Sequence, residues 1–168
     1  LVGSEMCIRD RLDEEGAADG QSLASLIDEN TLLVSLMHVN NETGAINDIQ
    51  KLASLTKKIN KNSLFMSDGV QAYGKLPVKL HSTSVDLYTI SGHKVHAPKG
   101  IGALYVKKGV KIAPVFWGGG QERNLRSGTE NVANIVCLGE IADKIPHADK
   151  NSCVDFKVLK NTILGIVD

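Results

Sequence analysis

Short apolar runs alternate with amphipathic segments along most of the chain. The run LLVSLM at 32–37 has the pattern of a strand that is buried on both faces. Shorter runs indicate further strands, because they are brief, apolar and bounded by turn residues. Strands are predicted at 32–37, 64–66 and 86–90, and a hairpin at 101–106 and 112–115 around a Lys-Lys-Gly turn.

Helical periodicity predicts the elements between these strands. After a turn at 40–44, Asn47 is placed to cap a helix, and Gln50 is placed to complete a capping box. Apolar residues then recur at helical spacing as far as Ile59. Further helices are predicted at 22–28, 129–145 and 152–166.

The alternation of strands and helices predicts an α/β domain, a mostly parallel central sheet flanked by helices. Open sheets of this kind bind ligands beyond the carboxyl ends of their strands. Asn41, Asp68 and the segment 91–94 each follow a predicted strand. We therefore expect these polar residues to form one composite site.

The segment Ser91-Gly92-His93-Lys94 contains the candidate nucleophile. A lysine in a desolvated or cationic setting loses its proton and attacks an aldehyde to form a Schiff base. Ser91 and His93 offer donors to a neighbouring phosphate, and Gly92 permits close approach of the backbone. The tetrapeptide alone is equally consistent with a surface lysine in a turn.

Asp68 strengthens the case for a pyridoxal cofactor. Such a cofactor is an electron sink only while its ring nitrogen stays protonated, which a neighbouring carboxylate maintains. Asp68 follows a buried strand, where an unpaired carboxylate would be costly. Gln71 could donate to the phenolic oxygen of the ring. By itself, Ser67-Asp68-Gly69 also fits a turn or a helix cap.

A glycine-rich segment, GGGQER at 118–123, precedes Arg126-Ser127-Gly128-Thr129. Glycines before cationic and hydroxyl residues, with a helix predicted to open at Thr129, indicate an anion site. An ordinary loop is the alternative. His38, His81, His96 and His147 show no metal-ligand spacing, which favours structural or solvated roles for them.

Composition narrows the functional classes. Hydrophobic residues make up 42% of the 168 and charged residues 23%, as in soluble globular proteins. Nineteen basic residues balance nineteen acidic ones, which argues against nucleic acid or a membrane surface as a partner. Cys7, Cys137 and Cys153 are far apart, and this spacing indicates neither a disulfide framework nor a zinc site. A reducing, cytoplasmic location is expected.

Four stretches, taken in order, resemble one family. They are MHVNNETGAINDI, SDGVQAYGKLPV, DLYTISGHKVHAPKGIGALYVKKG and GGGQERNLRSGTENVANIVCLGE. They are similar to the cysteine desulfurases of the iron–sulfur-cluster and nitrogen-fixation type, in the class V aminotransferase group. SGHK is shared across several class V enzymes, whereas GGGQERNLRSGTENV together with HVNNETG is far more specific. The resemblance covers about residues 12–145 and implies the large domain of the pyridoxal-phosphate transferase fold type I.

The resemblance also implies a role for each matching residue in binding pyridoxal 5′-phosphate. Lys94 would form the Schiff base and move protons, and Asp68 would hold the ring-nitrogen proton. Gln71 and Asn41 would bond the phenolic oxygen. Ser91 and His93 would bind the phosphate, and Thr129 would reach the phosphate of the neighbouring subunit in a homodimer. The implied reaction converts L-cysteine to L-alanine and an enzyme persulfide. The sulfur would pass to an iron–sulfur scaffold or another acceptor protein.

Some expected family residues are not matched. The catalytic cysteine is expected beyond the chain, because Cys137 and Cys153 lie in predicted helices and are interpreted as buried or incidental. The substrate-binding arginine is also expected further on, and the ring-stacking histidine before residue 12. Gly69 and Ala97 stand where the family pattern has alanine and glycine. The isolated chain is therefore not expected to turn over cysteine.

We interpret residues 1–11 as a non-native leader, 12–145 as the central part of the large domain, and 146–168 as a helix leading toward a C-terminal part. Three alternatives remain open. One is another class V enzyme, such as a selenocysteine lyase or a kynureninase-like hydrolase. A second is a non-catalytic phosphate binder, which the lack of GxxxxGK[ST] and of GxGxxG after a strand disfavours. The third is a fragment without independent function.

Overall fold

The computed structural model describes residues 12–145. The predicted leader at 1–11 and the predicted helix at 152–166 lie outside the described residues. No helix in the described part of the chain is long and apolar enough to cross a membrane. The helices are α1 (Gly20–Leu26), α2 (Ile49–Ile59) and α3 (Val132–Lys144), the strands are β1 (Leu33–Met37), β2 (Leu64–Asp68), β3 (Leu87–Ser91) and β4 (Gly102–Val106), and short 3-10 turns occupy Leu80–Ser82, Gly92–Val95 and Glu122–Asn124.

The four strands form one sheet in the order β1-β2-β3-β4. β1, β2 and β3 run parallel, and β4 runs antiparallel to β3. The prediction of a mostly parallel sheet flanked by helices is confirmed. The carboxyl ends of β1, β2 and β3 therefore meet at one edge of the sheet, which is the edge where polar residues were expected.

The core lies between α1, α2 and one face of the sheet. α2 buries Ile49, Leu52, Ala53 and Thr56, which form a single stripe at a spacing of three and four residues. The sheet contributes alternate residues, as a period of two requires. The cluster consists of Leu23, Ile27, Val34, Ile49, Leu52, Ala53, Phe65, Val85 and Tyr88.

The start of α2 differs from the prediction. Asp48 caps the helix by accepting the Lys51 N–H at 3.0 Å. Asn47 instead joins two other segments, because its Oδ1 accepts the Ala18 N–H at 2.7 Å and its Nδ2 donates to the Met37 carbonyl at 2.7 Å. Sequence spacing does not distinguish two adjacent cap-forming residues, whereas these long-range partners do.

Three other expectations were wrong in detail. Residues 112–115 form no strand, and the antiparallel partner of β4 is β3 rather than a hairpin neighbour. β1 is the edge strand of the described sheet, and Leu33 is 44% exposed, so it is not buried on both faces here. The last helix opens at Val132, capped by Asn131, and not at Thr129.

Candidate functional site

The predicted site residues lie at or near the carboxyl ends of the three parallel strands. Asp68 is the last residue of β2 and Ser91 is the last residue of β3. Asn41 lies four residues after Met37, the end of β1, at the exposed turn. The strand order alone thus places these three polar side chains along one edge of the sheet.

Asp68 is held by hydrogen bonds on both sides of β2. Its carbonyl accepts the His38 N–H at 2.8 Å, which joins it to the end of β1. The next residue, Gly69, donates its N–H to the Thr89 carbonyl of β3 at 2.9 Å. One carboxylate oxygen of Asp68 accepts the Val70 N–H at 2.9 Å. The backbone that carries this carboxylate is consequently fixed relative to both neighbouring strands.

The two predicted amide donors stand on turns. Asn40 shapes the first turn, because its Oδ1 accepts the Glu42 and Thr43 N–H groups at 2.8 and 2.9 Å. This leaves Asn41 exposed at the tip of the turn. Gln71 is partly buried in the turn after β2, and its Oε1 lies 3.5 Å from the Lys75 ammonium.

Ser91 and His93 form a polar pair directly after β3. The Ser91 hydroxyl lies 2.8 Å from His93 Nδ1, and both residues are open to solvent to some degree. Gly92 between them is buried, and a Cβ there would lie 2.7 Å from Ile101 Cγ2. The structural reason for glycine at 92 is therefore packing against the start of β4, in addition to the predicted access for a ligand.

Lys94 lies in the 3-10 turn Gly92–Val95, which ends at His96 in the left-handed conformation with φ 70°. Lys94 lines a cavity of about 380 Å³. The cavity is lined by Gly74, Lys75, Lys94, Val95, His96, Ile141, Lys144 and Ile145. The other predicted site residues do not line this cavity; they are Asn41, Asp68, Gln71, Ser91, His93 and Thr129.

The predicted anion loop bonds mainly to itself. The Arg126 guanidinium stands over the Phe116 ring at 5.1 Å and donates to the Ser127 carbonyl at 2.7 Å. The Gly128 N–H donates to the Gln121 side chain at 3.0 Å. Thr129 is exposed beyond the loop, ahead of the first turn of α3. Thr129 therefore does not open the helix as expected.

Three of the four histidines considered above and one of the cysteines lie among the described residues. His38 is buried and hydrogen-bonded, whereas His81 and His96 are exposed. Within 12–145 no group of three metal-ligating side chains is suited to a metal ion. Cys137 is a free, exposed thiol on α3, so the interpretation of this cysteine as buried was wrong. His147 and Cys153 lie outside the described residues.

Sequence reasoning missed the part that His38 and Tyr88 play beneath the site. The Tyr88 hydroxyl lies 2.9 Å from His38 Nδ1, and the two rings meet edge-on with centroids 6.0 Å apart. Tyr88 is a core residue of β3 and His38 follows β1, fifty positions earlier. The one available signal was the glycine at position 69, where the family pattern has alanine.

The chemistry of this donor set fits pyridoxal 5′-phosphate. A primary amine at Lys94 suits an aldehyde, and the Asp68 carboxylate suits a protonated ring nitrogen. The Ser91 hydroxyl and the His93 imidazole suit a phosphate, while the Asn41 and Gln71 amides suit a phenolic oxygen. Asp68 has one carboxylate oxygen engaged by Val70, which leaves acceptor capacity on the other for a ligand.

Known proteins match this chain in sequence and in fold. The family model of the class-V aminotransferases matches residues 9–153. A cysteine desulfurase from Nostoc sp. is 46% identical over 132 residues, covering 79% of this chain and 32% of that protein. The cysteine desulfurase IscS from Dictyoglomus turgidum is 46% identical over 129 residues, covering 77% of this chain and 32% of that protein.

A solved structure of a NifS-like protein superposes with a TM-score of 0.77 at 44% identity, covering 80% of this chain and 37% of that one. The chain therefore spans about a third of the length of the curated relatives it matches. The resemblance and the fold class predicted from the sequence are both confirmed. Together, the match to the family model over 9–153 and the shared fold show that this chain belongs to the class-V aminotransferase family.

Proposed function

We propose that this chain is the cofactor-holding part of a cysteine desulfurase that uses pyridoxal 5′-phosphate. The observation that carries the proposal is the convergence of Asp68, Ser91 and the Lys94 turn at the carboxyl edge of one parallel sheet. The names of the relatives favour desulfuration over the selenocysteine lyase and kynureninase-like alternatives.

When bound, the cofactor supplies an electron sink that stabilises negative charge at the α-carbon of an amino acid. Lys94 Nζ would hold its aldehyde carbon and, once released as a free amine, would carry a proton at the substrate α-carbon. Asp68 would keep the ring nitrogen protonated. Ser91 and His93 would bind the phosphate, and Asn41 and Gln71 would orient the phenolic oxygen.

The substrate of the proposed reaction is L-cysteine. Its sulfur would pass to an enzyme thiol, so that L-cysteine and a thiol become L-alanine and a persulfide, with every atom conserved. We do not assign the accepting thiol to Cys137, because that residue lies within the helix Val132–Lys144 and not on a loop that could reach the substrate. The persulfide would serve an iron–sulfur scaffold or another sulfur acceptor in the cytoplasm.

We further propose that the site is completed in a homodimer. Thr129 is exposed at the end of the loop that follows Gly118, and its hydroxyl would reach the phosphate held by a second subunit. Trp117, which is 82% exposed, directly precedes this loop and would be covered by the same association.

The experiment that tests the cofactor assignment is reductive trapping. The chain is mixed with pyridoxal 5′-phosphate, reduced with borohydride and digested, and the modified lysine is located by mass spectrometry. We expect modification at Lys94, together with a visible absorbance band before reduction that disappears in Lys94→Ala. Lys144→Ala is the matched control, because Lys144 lines the same cavity. Modification spread over several lysines, or retained in Lys94→Ala, would refute the assignment.

A further inference from the structure

A tyrosine side chain crosses beneath the middle strand of the site. Tyr88 belongs to β3 and pairs with Ser67 of β2 in the parallel register. Its hydroxyl nevertheless reaches His38, which follows β1 on the far side of β2. Neighbouring strands lie about 5 Å apart, so the phenol and imidazole together span about 10 Å from β3 to β1.

Gly69 leaves the space that this crossing needs. A Cβ at position 69 would lie 1.9 Å from Tyr88 Cζ and 2.3 Å from its hydroxyl oxygen. Atoms of a folded protein do not approach so closely, and the obstruction would be an aromatic ring held in the core, not the end of a long flexible chain. A residue larger than glycine at 69 would therefore displace Tyr88 from His38.

The crossing lies directly under Asp68. Successive side chains of a strand point to opposite faces of a sheet, so Ser67 and Gly69 face the Tyr88 side, and Asp68 faces the other side. The backbone around Asp68 is bonded to His38 on one flank and, through Gly69, to Thr89 on the other. The bond between Tyr88 and His38 joins the same two flanking strands by a second route, through side chains.

Burial keeps both partners of this bond neutral. Tyr88 is 2% exposed and His38 is 8% exposed. Burial raises the pKa of the Tyr88 phenol well above its ordinary value, and the negative charge of Asp68 raises it further. Burial lowers the pKa of His38, although the charge of Asp48 partly opposes this. The protonated phenol of Tyr88 can then donate to His38 Nδ1 over the range of pH in which both side chains stay uncharged.

We propose that Tyr88 is a positioning residue for Asp68, acting through its hydrogen bond to His38 in the space that Gly69 leaves. The bond holds the ends of β1 and β3 against the end of β2, and so fixes where the Asp68 carboxylate meets the ring nitrogen of the cofactor. This inference rests on the proposed function, because it takes the ring nitrogen as the partner of Asp68. Simple core packing of Tyr88 is the alternative that the experiment must separate.

The test compares two ligands that differ only at the ring nitrogen. Pyridoxal 5′-phosphate and its 1-deaza analogue, in which CH replaces the nitrogen, are titrated into the wild-type chain and into Tyr88→Phe. We expect the variant to bind pyridoxal 5′-phosphate about threefold to tenfold more weakly, the range for the loss of one buried hydrogen bond. Its affinity for the deaza analogue should not change, because that ligand makes no bond through the ring nitrogen.

Thr56→Val is the matched control. Thr56 is fully buried on α2, and its hydroxyl donates to the Leu52 carbonyl at 2.9 Å, away from the strand ends. This variant also removes one buried hydroxyl without changing the shape of the side chain. We expect it to lower the free energy of unfolding and to leave the affinity for both ligands unchanged.

The outcomes separate the inference from the proposed function. Equal affinity of the wild-type chain for the two ligands, or binding of neither, would refute the pairing of Asp68 with a cofactor and so the proposed site. If the wild-type chain prefers pyridoxal 5′-phosphate to the deaza analogue and Tyr88→Phe shows the same preference, the positioning role would be refuted and the proposed site would stand. Equal weakening of both ligands by Tyr88→Phe would show that Tyr88 only packs the core.

A second pair of variants tests the space at Gly69 by itself. Gly69→Ala should lower the midpoint of urea unfolding in the wild-type background, because the new Cβ meets the Tyr88 ring. In a Tyr88→Leu background the same substitution should lower the midpoint much less, since the obstructing ring is absent. An equal shift in both backgrounds would contradict the claim that Gly69 makes room for Tyr88.

Discussion

The partly buried ion pair between Lys57 and Asp86 gives a prediction whose magnitude follows from the structure. Lys57 Nζ lies 2.6 Å from Asp86 Oδ2, and their side chains are 25% and 6% exposed. The same carboxylate oxygen accepts the Phe65 N–H at 2.8 Å, and the ammonium donates to the Ser63 carbonyl at 2.6 Å. The pair thus joins α2, the start of β2 and the residue before β3.

Removing either partner leaves the other charge without its counter-ion, but in different surroundings. Loss of one member of a buried pair costs about 3–5 kcal/mol, and exposed pairs contribute up to about 1 kcal/mol. Lys57→Met leaves the carboxylate, which is the more buried charge, without a counter-ion. We therefore expect it to lower the free energy of unfolding by about 3 kcal/mol. Asp86→Asn leaves the more exposed ammonium without a counter-ion but keeps an acceptor for the Phe65 N–H. We therefore expect it to lower the free energy of unfolding by about 2 kcal/mol.

The assay is urea unfolding of the wild-type chain, the two single variants and the double variant. The double variant removes both charges, so its loss should be smaller than the sum of the single losses by at least about 1 kcal/mol. Lys144→Met is the control, because Lys144 pairs with Glu140 at 3.6 Å while both side chains are exposed. It should cost less than about 0.5 kcal/mol. Additive losses, or a loss in Lys57→Met no larger than in this control, would refute the reasoning.

Two further predictions concern buried groups near the site. Burial lowers the pKa of His38, so the unfolded chain, with an ordinary pKa of about 6.5, binds its proton first on acidification. The contribution of His38 to stability should be complete above about pH 6.5 and decline as the pH falls below it. The slope of the free energy of unfolding against pH in this range should shrink in His38→Asn but not in the control His81→Asn. The Ser67 hydroxyl is buried without a hydrogen-bond partner among the described residues, so Ser67→Ala should raise the free energy of unfolding by about 1 kcal/mol in urea titrations. Ser63→Ala should lower the free energy of unfolding, because the Ser63 hydroxyl donates to the Thr31 carbonyl. If Ser67→Ala lowered the free energy of unfolding as much as Ser63→Ala, the interpretation would be contradicted.

Local pattern was sufficient for most elements of the fold. The apolar runs at 32–37, 64–66 and 86–90 became β1, β2 and β3 with shifts of one or two residues. Helical spacing predicted α2 because its buried stripe is written in consecutive turns of a single segment. Elements of this kind depend on neighbours within a few positions, which a single sequence displays directly.

Pairing between distant segments was not predictable in the same way. The run at 112–115 resembles a strand, but β4 pairs with β3 instead, and a short apolar run contains no information about its partner. Asn47 and Asp48 are both suitable helix caps. In the folded chain the Asn47 side chain bonds to Ala18 and Met37 instead, and Asp48 caps the helix.

The sequence by itself determined the alternation of strands and helices, the family and the position of the polar residues after strand ends. These properties follow from local periodicity and from motifs that are continuous in the chain. Only the tertiary structure decided that Lys94 lines a cavity together with Gly74 and Ile145, and that Tyr88 reaches His38 through the space at Gly69. The physical reason is that both depend on distances between segments tens of residues apart, which the packing of the sheet sets.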